Sequence, residues 1–267
     1  MHRKPEGPVD FMAVAAHPDD AEIFGGGTFL KLSALGKSGV IVDLTDGGAG
    51  TRGSAAIRTK EAMAAARALK VERVTLDEPD GRVQNTLEAQ WKLIRIIRRF
   101  RPRALFTHHF PEEHPDHGNA ARIVVEAAFR AGLSKLDCEG TPWRPKRIFH
   151  AVDSSPVTPS FCVDISAYWE EKLRVLRCYE SQFHNPKAGK YKGRTDLAQP
   201  PFLEALEIRA RFWGLRIKRR YAEAFWCGEL AEVNDPTALG EERFPSALRR
   251  VRQAHRRLRS ETSRRRP

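Results

Sequence analysis

The sequence predicts an α/β protein, a Rossmann-like three-layer fold with a mostly parallel sheet and helices on both faces. Three observations predict it. Through the first 135 residues short apolar runs alternate with helical patterns. Each run is continuously apolar, as in strands buried on both faces, and each is followed by polar or glycine-containing residues before the next helical stretch. At 267 residues the chain falls between one large domain and two small ones, and one compact domain with a C-terminal appendage fits the pattern best.

The apolar runs are Phe11 to Ala16, Val40 to Leu44, Val74 to Leu76 and Ala104 to Thr107. The helical patterns that follow them span Glu22 to Leu35, Ala55 to Leu69, Leu87 to Phe100 and Asn119 to Ala131. In the third, Trp91, Leu93, Ile94, Ile97 and Phe100 form an apolar stripe, while Arg95, Arg98 and Arg99 fall largely outside it and are expected in solvent. From Gly132 to Ser160, Gly140, Pro142, Pro145, Pro156 and Pro159 break the pattern around one strand, Arg147 to Val152. A short strand, Phe161 to Asp164, leads into an amphipathic helix from Ser166 to about Ser181. Residues Asn185 to Pro201, polar and rich in Gly, Lys and Pro, read as a loop able to cover a site. A helix from Pro201 or Phe202 to Arg219 and a strand from Ala222 to Cys227 complete the fold.

Composition narrows the function classes. With 41% hydrophobic and 30% charged residues, and no apolar run near the roughly 20 residues that cross a bilayer, membrane-spanning and fibrous proteins are excluded. The stretch Phe11 to Ala16 is too short for a signal-peptide core, so a cytoplasmic protein is expected. The net charge is 46 − 34 = +12, but Arg243 to Pro267 holds ten Arg against one Glu, which puts +9 there and leaves +3 for the first 242 residues. The chain is therefore divided into a domain, 1–242, and an arginine-rich tail, 243–267, read as solvated or as a contact for nucleic acid or an anionic surface. Cys138, Cys162, Cys178 and Cys227 form no C-x-x-C pair, so buried reduced thiols are expected.

Two tetrads carry the chemistry. The first strand runs into His17, Pro18, Asp19, Asp20, and the fourth runs toward His114, Pro115, Asp116, His117. In an open parallel sheet ligands bind at the carboxyl ends of the strands, where strand order reverses, so the tetrads can face each other across that crevice. His and Asp are zinc ligands, and a catalytic zinc keeps three protein ligands and one open position. Three of these six ionisable residues suffice, and those left over can serve as base and acid for a hydrolysis. Gly25 to Gly27 lie too far past the strand for a dinucleotide fingerprint and are expected to allow close helix–sheet packing. Gly47, Gly48, Gly50 and Gly53 mark a loop at the same end of the sheet, either substrate-contacting or a plain connection.

The segments AHPDDAEIFGGGT, GAGTRGSAAIRTKEA, DEPDGR and HPDHGNAAR resemble the LmbE-like, PIG-L-type de-N-acetylases. PSFCVDISAYWEEKLRVLRCYESQF and RRYAEAF extend the resemblance over about residues 10 to 230, most like the bacterial branch that deacetylates N-acetylglucosaminyl-malate in bacillithiol synthesis. The resemblance implies a zinc-dependent hydrolase, with another divalent ion such as Fe²⁺ as a substitute, acting on an N-acetylglucosamine conjugate. It implies metal ligands His17, Asp20 and His117, a general base at Asp19, and an acid at His114 oriented by Asp116. It further implies a substrate-binding Arg58, a sugar contact or simple turn at Asp80, an oxyanion donor or core tyrosine at Tyr221, and a homo-oligomer, trimer or hexamer. The sequence departs from the bacillithiol branch at His108 and His109.

Other readings remain. Within the family these are a thiol-conjugate amidase and a natural-product sugar deacetylase. A non-haem iron oxygenase would use two His and one Asp but leaves Asp19 and His114 without a task and calls for short antiparallel strands. A nucleic-acid-binding protein would act through the tail, with salt-dependent affinity.

Overall fold

The computed structural model describes residues 8–153, 157–183, 195–230 and 232–233. It divides into one unit spanning Met1–Gly228 and a second spanning Glu229–Pro267. The arginine-rich tail, 243–267, and most of the loop expected from Asn185 onward lie outside the described residues.

Seven strands and six helices are described: β1 (Phe11–Ala15), α1 (Asp20–Ala34), β2 (Gly39–Asp43), α2 (Ala55–Leu69), β3 (Glu72–Thr75), α3 (Leu87–Phe100), β4 (Ala104–Thr107), α4 (Pro115–Ala131), β5 (Arg147–Ala151), β6 (Phe161–Asp164), α5 (Trp169–Leu176), α6 (Pro200–Arg216) and β7 (Ala222–Trp226). They form one sheet of order β3-β2-β1-β4-β5-β7-β6. The first five strands in that order are parallel, and β7 runs antiparallel to both β5 and β6.

Strand β1 is buried along its whole length, and its residues alternate between two cores, as the two-residue strand period requires. Phe11, Ala13 and Ala15 pack under α1, α2, α5 and α6, whereas Met12, Val14 and Ala16 pack against α3 and α4. The Phe106 ring joins the first core, 5.4 Å from Phe29 and 5.2 Å from Phe225, which ties β4, α1 and β7 together.

Both helices that follow the tetrads begin earlier than expected. Helix α4 starts at Pro115 rather than Asn119, with His114 as its N-cap, because a proline at the first helical position gives up no hydrogen bond. Helix α1 starts at Asp20, with Asp19 as its N-cap. The second tetrad is therefore a helix start, whereas the first is a turn, His17 to Asp19, that leads into Asp20 as the first residue of α1. Helix α5 is shorter than expected, since the chain beyond Leu176 turns so that Ser181 can bond Glu61 through both its amide and its hydroxyl, each at 2.7 Å.

Two smaller expectations are corrected. Arg98 is buried, not solvated: its guanidinium donates to the carbonyls of Ala131 at 3.1 Å and Leu133 at 2.8 Å, which satisfies the C-terminal end of α4. The four cysteines are free but only half-buried. No helix among the described residues is long and apolar enough to cross a membrane.

Candidate active site

Strand order reverses between β1 and β4, which are neighbours, so the two tetrads meet at the carboxyl ends of adjacent strands. Asp20 links them. Its Oδ2 accepts from the His17 amide at 2.8 Å and lies 3.1 Å from His17 Nδ1, while its Oδ1 lies 3.4 Å from His117 Nε2. The His114 ring stacks on His117, with centroids 4.5 Å apart, and meets His17 edge-on at 5.0 Å. Three groups of side chains bring donor atoms close enough to share a cation: His17, His114 and His117; Asp20, His108 and His117; and His17, Asp80 and Asp116. No one of these groups holds His17, Asp20 and His117 together: the first has both histidines and the second has Asp20 with His117. Imidazole nitrogens beside carboxylate oxygens, without a thiol, form a donor set suited to zinc or another first-row divalent ion.

Carboxylates hold the first histidine. His17 Nε2 lies 3.2 Å from both Asp80 and Asp116, while Nδ1 faces Asp20, so carboxylates flank both ring nitrogens. Burial would lower the His17 pKa, but the charge and hydrogen bonds of the Asp20 and Asp80 carboxylates raise it to about 11. Burial would likewise raise Asp20, yet the His117 and His17 imidazoles hold its carboxyl well below the usual range. Asp116 does not orient the His114 side chain as expected. Its carboxylate accepts from the amides of Gly81 at 2.8 Å and Val83 at 3.1 Å and faces His17, because the first turn of α4 points it beneath the β3–α3 loop. His114 instead accepts the Asp116 amide on Nδ1 at 3.2 Å, so Nε2 is its free ring nitrogen.

Asp19 is the least ordinary residue of the site. It has φ of 110°, a left-handed backbone that costs a non-glycine residue about 1–3 kcal/mol. Arg58 overdetermines that conformation by donating to the Pro18 carbonyl, to Asp19 Oδ2 at 2.9 Å and to the Gly47 carbonyl at 3.2 Å. Desolvation raises the Asp19 pKa to about 7 despite the guanidinium beside it. Gly47 has φ of 69°, and a Cβ there would lie 2.4 Å from the Arg58 guanidinium, so the loop glycine admits this arginine.

These residues line a cleft of about 560 Å³, within the usual range for a small-molecule site. His17, Asp19, Asp20, Arg58, Asp80, His114 and His117 all contribute to its wall. The glycine-rich loop proves to be part of the site: Ala49, Gly50 and Thr51 line it, and the Ala49 amide donates to Asp80 at 2.8 Å. Tyr221 does not reach it. Its ring stacks on Trp169 at 4.5 Å and its hydroxyl donates to Glu207 at 2.8 Å, so it is a core tyrosine bound to α6. His108 stacks on His117 at 4.1 Å, with Nε2 lying 3.1 Å from the Ala16 amide and 3.4 Å from Asp20, whereas His109 turns toward His150 and Trp226. Sequence reasoning missed the far wall, where Asp153, Gln182, Phe202 and Arg209 stand. No local motif marks them, since they converge only after the antiparallel edge of the sheet has folded.

Residues 12–128 match the family described as PIG-L, GlcNAc-PI de-N-acetylase. A diacetylchitobiose deacetylase from Thermococcus kodakarensis is 33% identical over 185 residues, covering 64% of this chain and 69% of that protein. The crystal structure of a conserved protein from Thermus thermophilus superposes with a TM-score of 0.76 at 36% identity, over 85% of this chain and 98% of that one. An N,N'-diacetylchitobiose deacetylase from Pyrococcus horikoshii, solved with an inhibitor, gives a TM-score of 0.70 at 30% identity, over 81% of this chain and 82% of that one. The match of fold, motifs and length places this chain in the PIG-L (LmbE-like) family, as a hydrolytic de-N-acetylase.

Proposed function

We propose that the protein is a zinc-dependent hydrolase that removes the acetyl group from an N-acetylglucosamine glycoside, giving acetate and a free amino sugar. The observation that carries this reading is the meeting of both tetrads around Asp20, with the strained, buried Asp19 beside them. His17, Asp20 and His117 would hold the metal, which supplies Lewis-acid polarisation of the acetamide carbonyl and lowers the pKa of water. Asp19 takes the proton of the attacking water as the new C–O bond forms. His114, with Nε2 in the cleft wall, delivers a proton to the nitrogen as the C–N bond breaks, since an amide anion is a very poor leaving group, and the proton taken up by Asp19 then replaces it. Asp116 and Asp80 hold His17, and Arg58 holds Asp19.

Asp80 and Arg58 stand in the wall where the sugar would lie, and the cleft is large enough for a glycoside with its aglycone. The sequence favours malate as that aglycone, while the names of two relatives supply a disaccharide alternative. The test is amine release by the full chain from N-acetylglucosaminyl-malate, N,N'-diacetylchitobiose and methyl N-acetylglucosaminide, before and after zinc is added to chelator-treated protein. Zinc-dependent release that Asp19→Ala abolishes is the expected result. Absence of release from every glycoside removes the substrate class.

A further inference from the structure

Helix α1 carries Asp20 in its first turn and the cleft-lining Ile23 and Phe24 in its second, and it is gripped at its middle by a buried ion pair. Lys172 of α5 and Glu223 of β7 are only 1% and 5% exposed and lie 2.6 Å apart. The two oxygens of Glu223 accept from consecutive main-chain amides of α1, Gly27 at 2.9 Å and Thr28 at 2.7 Å. Lys172 Nζ donates to the Ile23 carbonyl at 2.6 Å. In a regular helix the Gly27 amide and the Ile23 carbonyl are partners of one rung. Here side chains engage both ends of that rung.

The glycine run makes this approach feasible. A Cβ on Gly27 would lie 2.8 Å from Ile165, and one on Gly26 would meet the Lys172 stem at 3.5 Å. The partners are thus Ile165 just after β6, the Lys172 stem of α5 and, through Glu223 of β7, the edge of the sheet.

We infer that Lys172 and Glu223 are positioning residues for the deacetylation: by clamping α1 between Ile23 and Thr28 they fix the direction in which its first turn presents Asp20 to the metal and Phe24 to the substrate. This rests on the metal-centre reading above. Neither residue lines the reacting wall of the cleft, so neither touches substrate. Both come from the antiparallel side of the sheet and its helix, which gives that edge a part in the chemistry beyond closing the core.

The test compares Glu223→Gln, Lys172→Met and the double variant with Ile97→Ala, a cavity in the opposite core far from α1. Zinc affinity is measured by competition with a chelator, kcat and KM at saturating zinc, and Tm for each protein. The pair variants should bind zinc about 10-fold more weakly and turn over about 10-fold more slowly, with KM within about twofold, as for partners that orient a ligand. Ile97→Ala should lower Tm and leave the other three unchanged. The double variant leaves no unpaired buried charge and keeps the test open if a single variant fails to fold. Pair variants that lose Tm as Ile97→Ala does, with affinity and kcat within twofold of wild type, overturn the inference. A wild-type protein that binds no zinc overturns it together with the metal-centre reading.

Discussion

The Arg58 guanidinium lies 2.9 Å from the Asp19 carboxylate and also holds the Pro18 and Gly47 carbonyls, so the residue implied to grip substrate is engaged with the base. Arg58→Met should therefore lower kcat by about 100-fold, on the scale of losing a positioned general base, while KM changes by less than about threefold. Steady-state kinetics separate the alternatives: a raised KM at unchanged kcat would return Arg58 to a purely substrate-binding role.

The Asp116 carboxylate faces His17 and accepts from the 81–83 loop, and it is the Asp116 amide that reaches the His114 ring. Asp116→Asn should weaken zinc binding by about 10–100-fold, the usual effect of losing the carboxylate behind a histidine ligand. Chelator competition measures this directly. An unchanged zinc affinity with kcat alone reduced would restore the orientation of His114 as its task.

Tyr221 is bonded to Glu207 and stacked on Trp169, away from the cleft. Tyr221→Phe should cost about 1 kcal/mol of stability through that hydrogen bond and leave kcat within about twofold. Urea denaturation and turnover check the two halves. A fall of 100-fold in kcat would place the hydroxyl in the reaction after all.

His150 lies under the site, its Nδ1 2.8 Å from the His108 carbonyl. Burial lowers its pKa below the ordinary 6.5, more than the hydrogen bond to that carbonyl raises it. A histidine whose folded pKa is depressed adds stability that is present above the unfolded value and lost as pH falls through the folded one. Wild type should therefore lose more stability than His150→Gln between about pH 7 and pH 5. Parallel pH dependences of unfolding in the two proteins would contradict this.

Much of the site was legible because chain neighbours carry it. The first tetrad comes just after β1 and the second follows β4 across a six-residue loop, so strand placement set His17, Asp20, His114 and His117 at one end of the sheet. The apolar runs placed β1, β2 and β4 most clearly, since burial on both faces leaves little choice of residue there. Arg98 was misplaced because it lies beside the apolar stripe of α3, and only the end of α4 packed against it turns that position inward. The resemblance ties Asp116 to His114, and the closeness of its carboxylate to His17, ninety-nine residues away, is visible only in the folded chain. The Gly47 loop was undecided in sequence because its role depends on Asp80 and Arg58 reaching it from other loops and helices.

The central claim is that His17, Asp20 and His117 hold one metal ion on which the hydrolysis depends. Its most direct measurement is a zinc titration of chelator-treated full-length protein, following amine release from an N-acetylglucosamine glycoside in wild type and in Asp20→Asn. Wild-type activity should return in proportion to zinc and saturate at one equivalent per chain, while the variant stays inactive at that level. Full activity without metal, or a variant that titrates as wild type does, would contradict it.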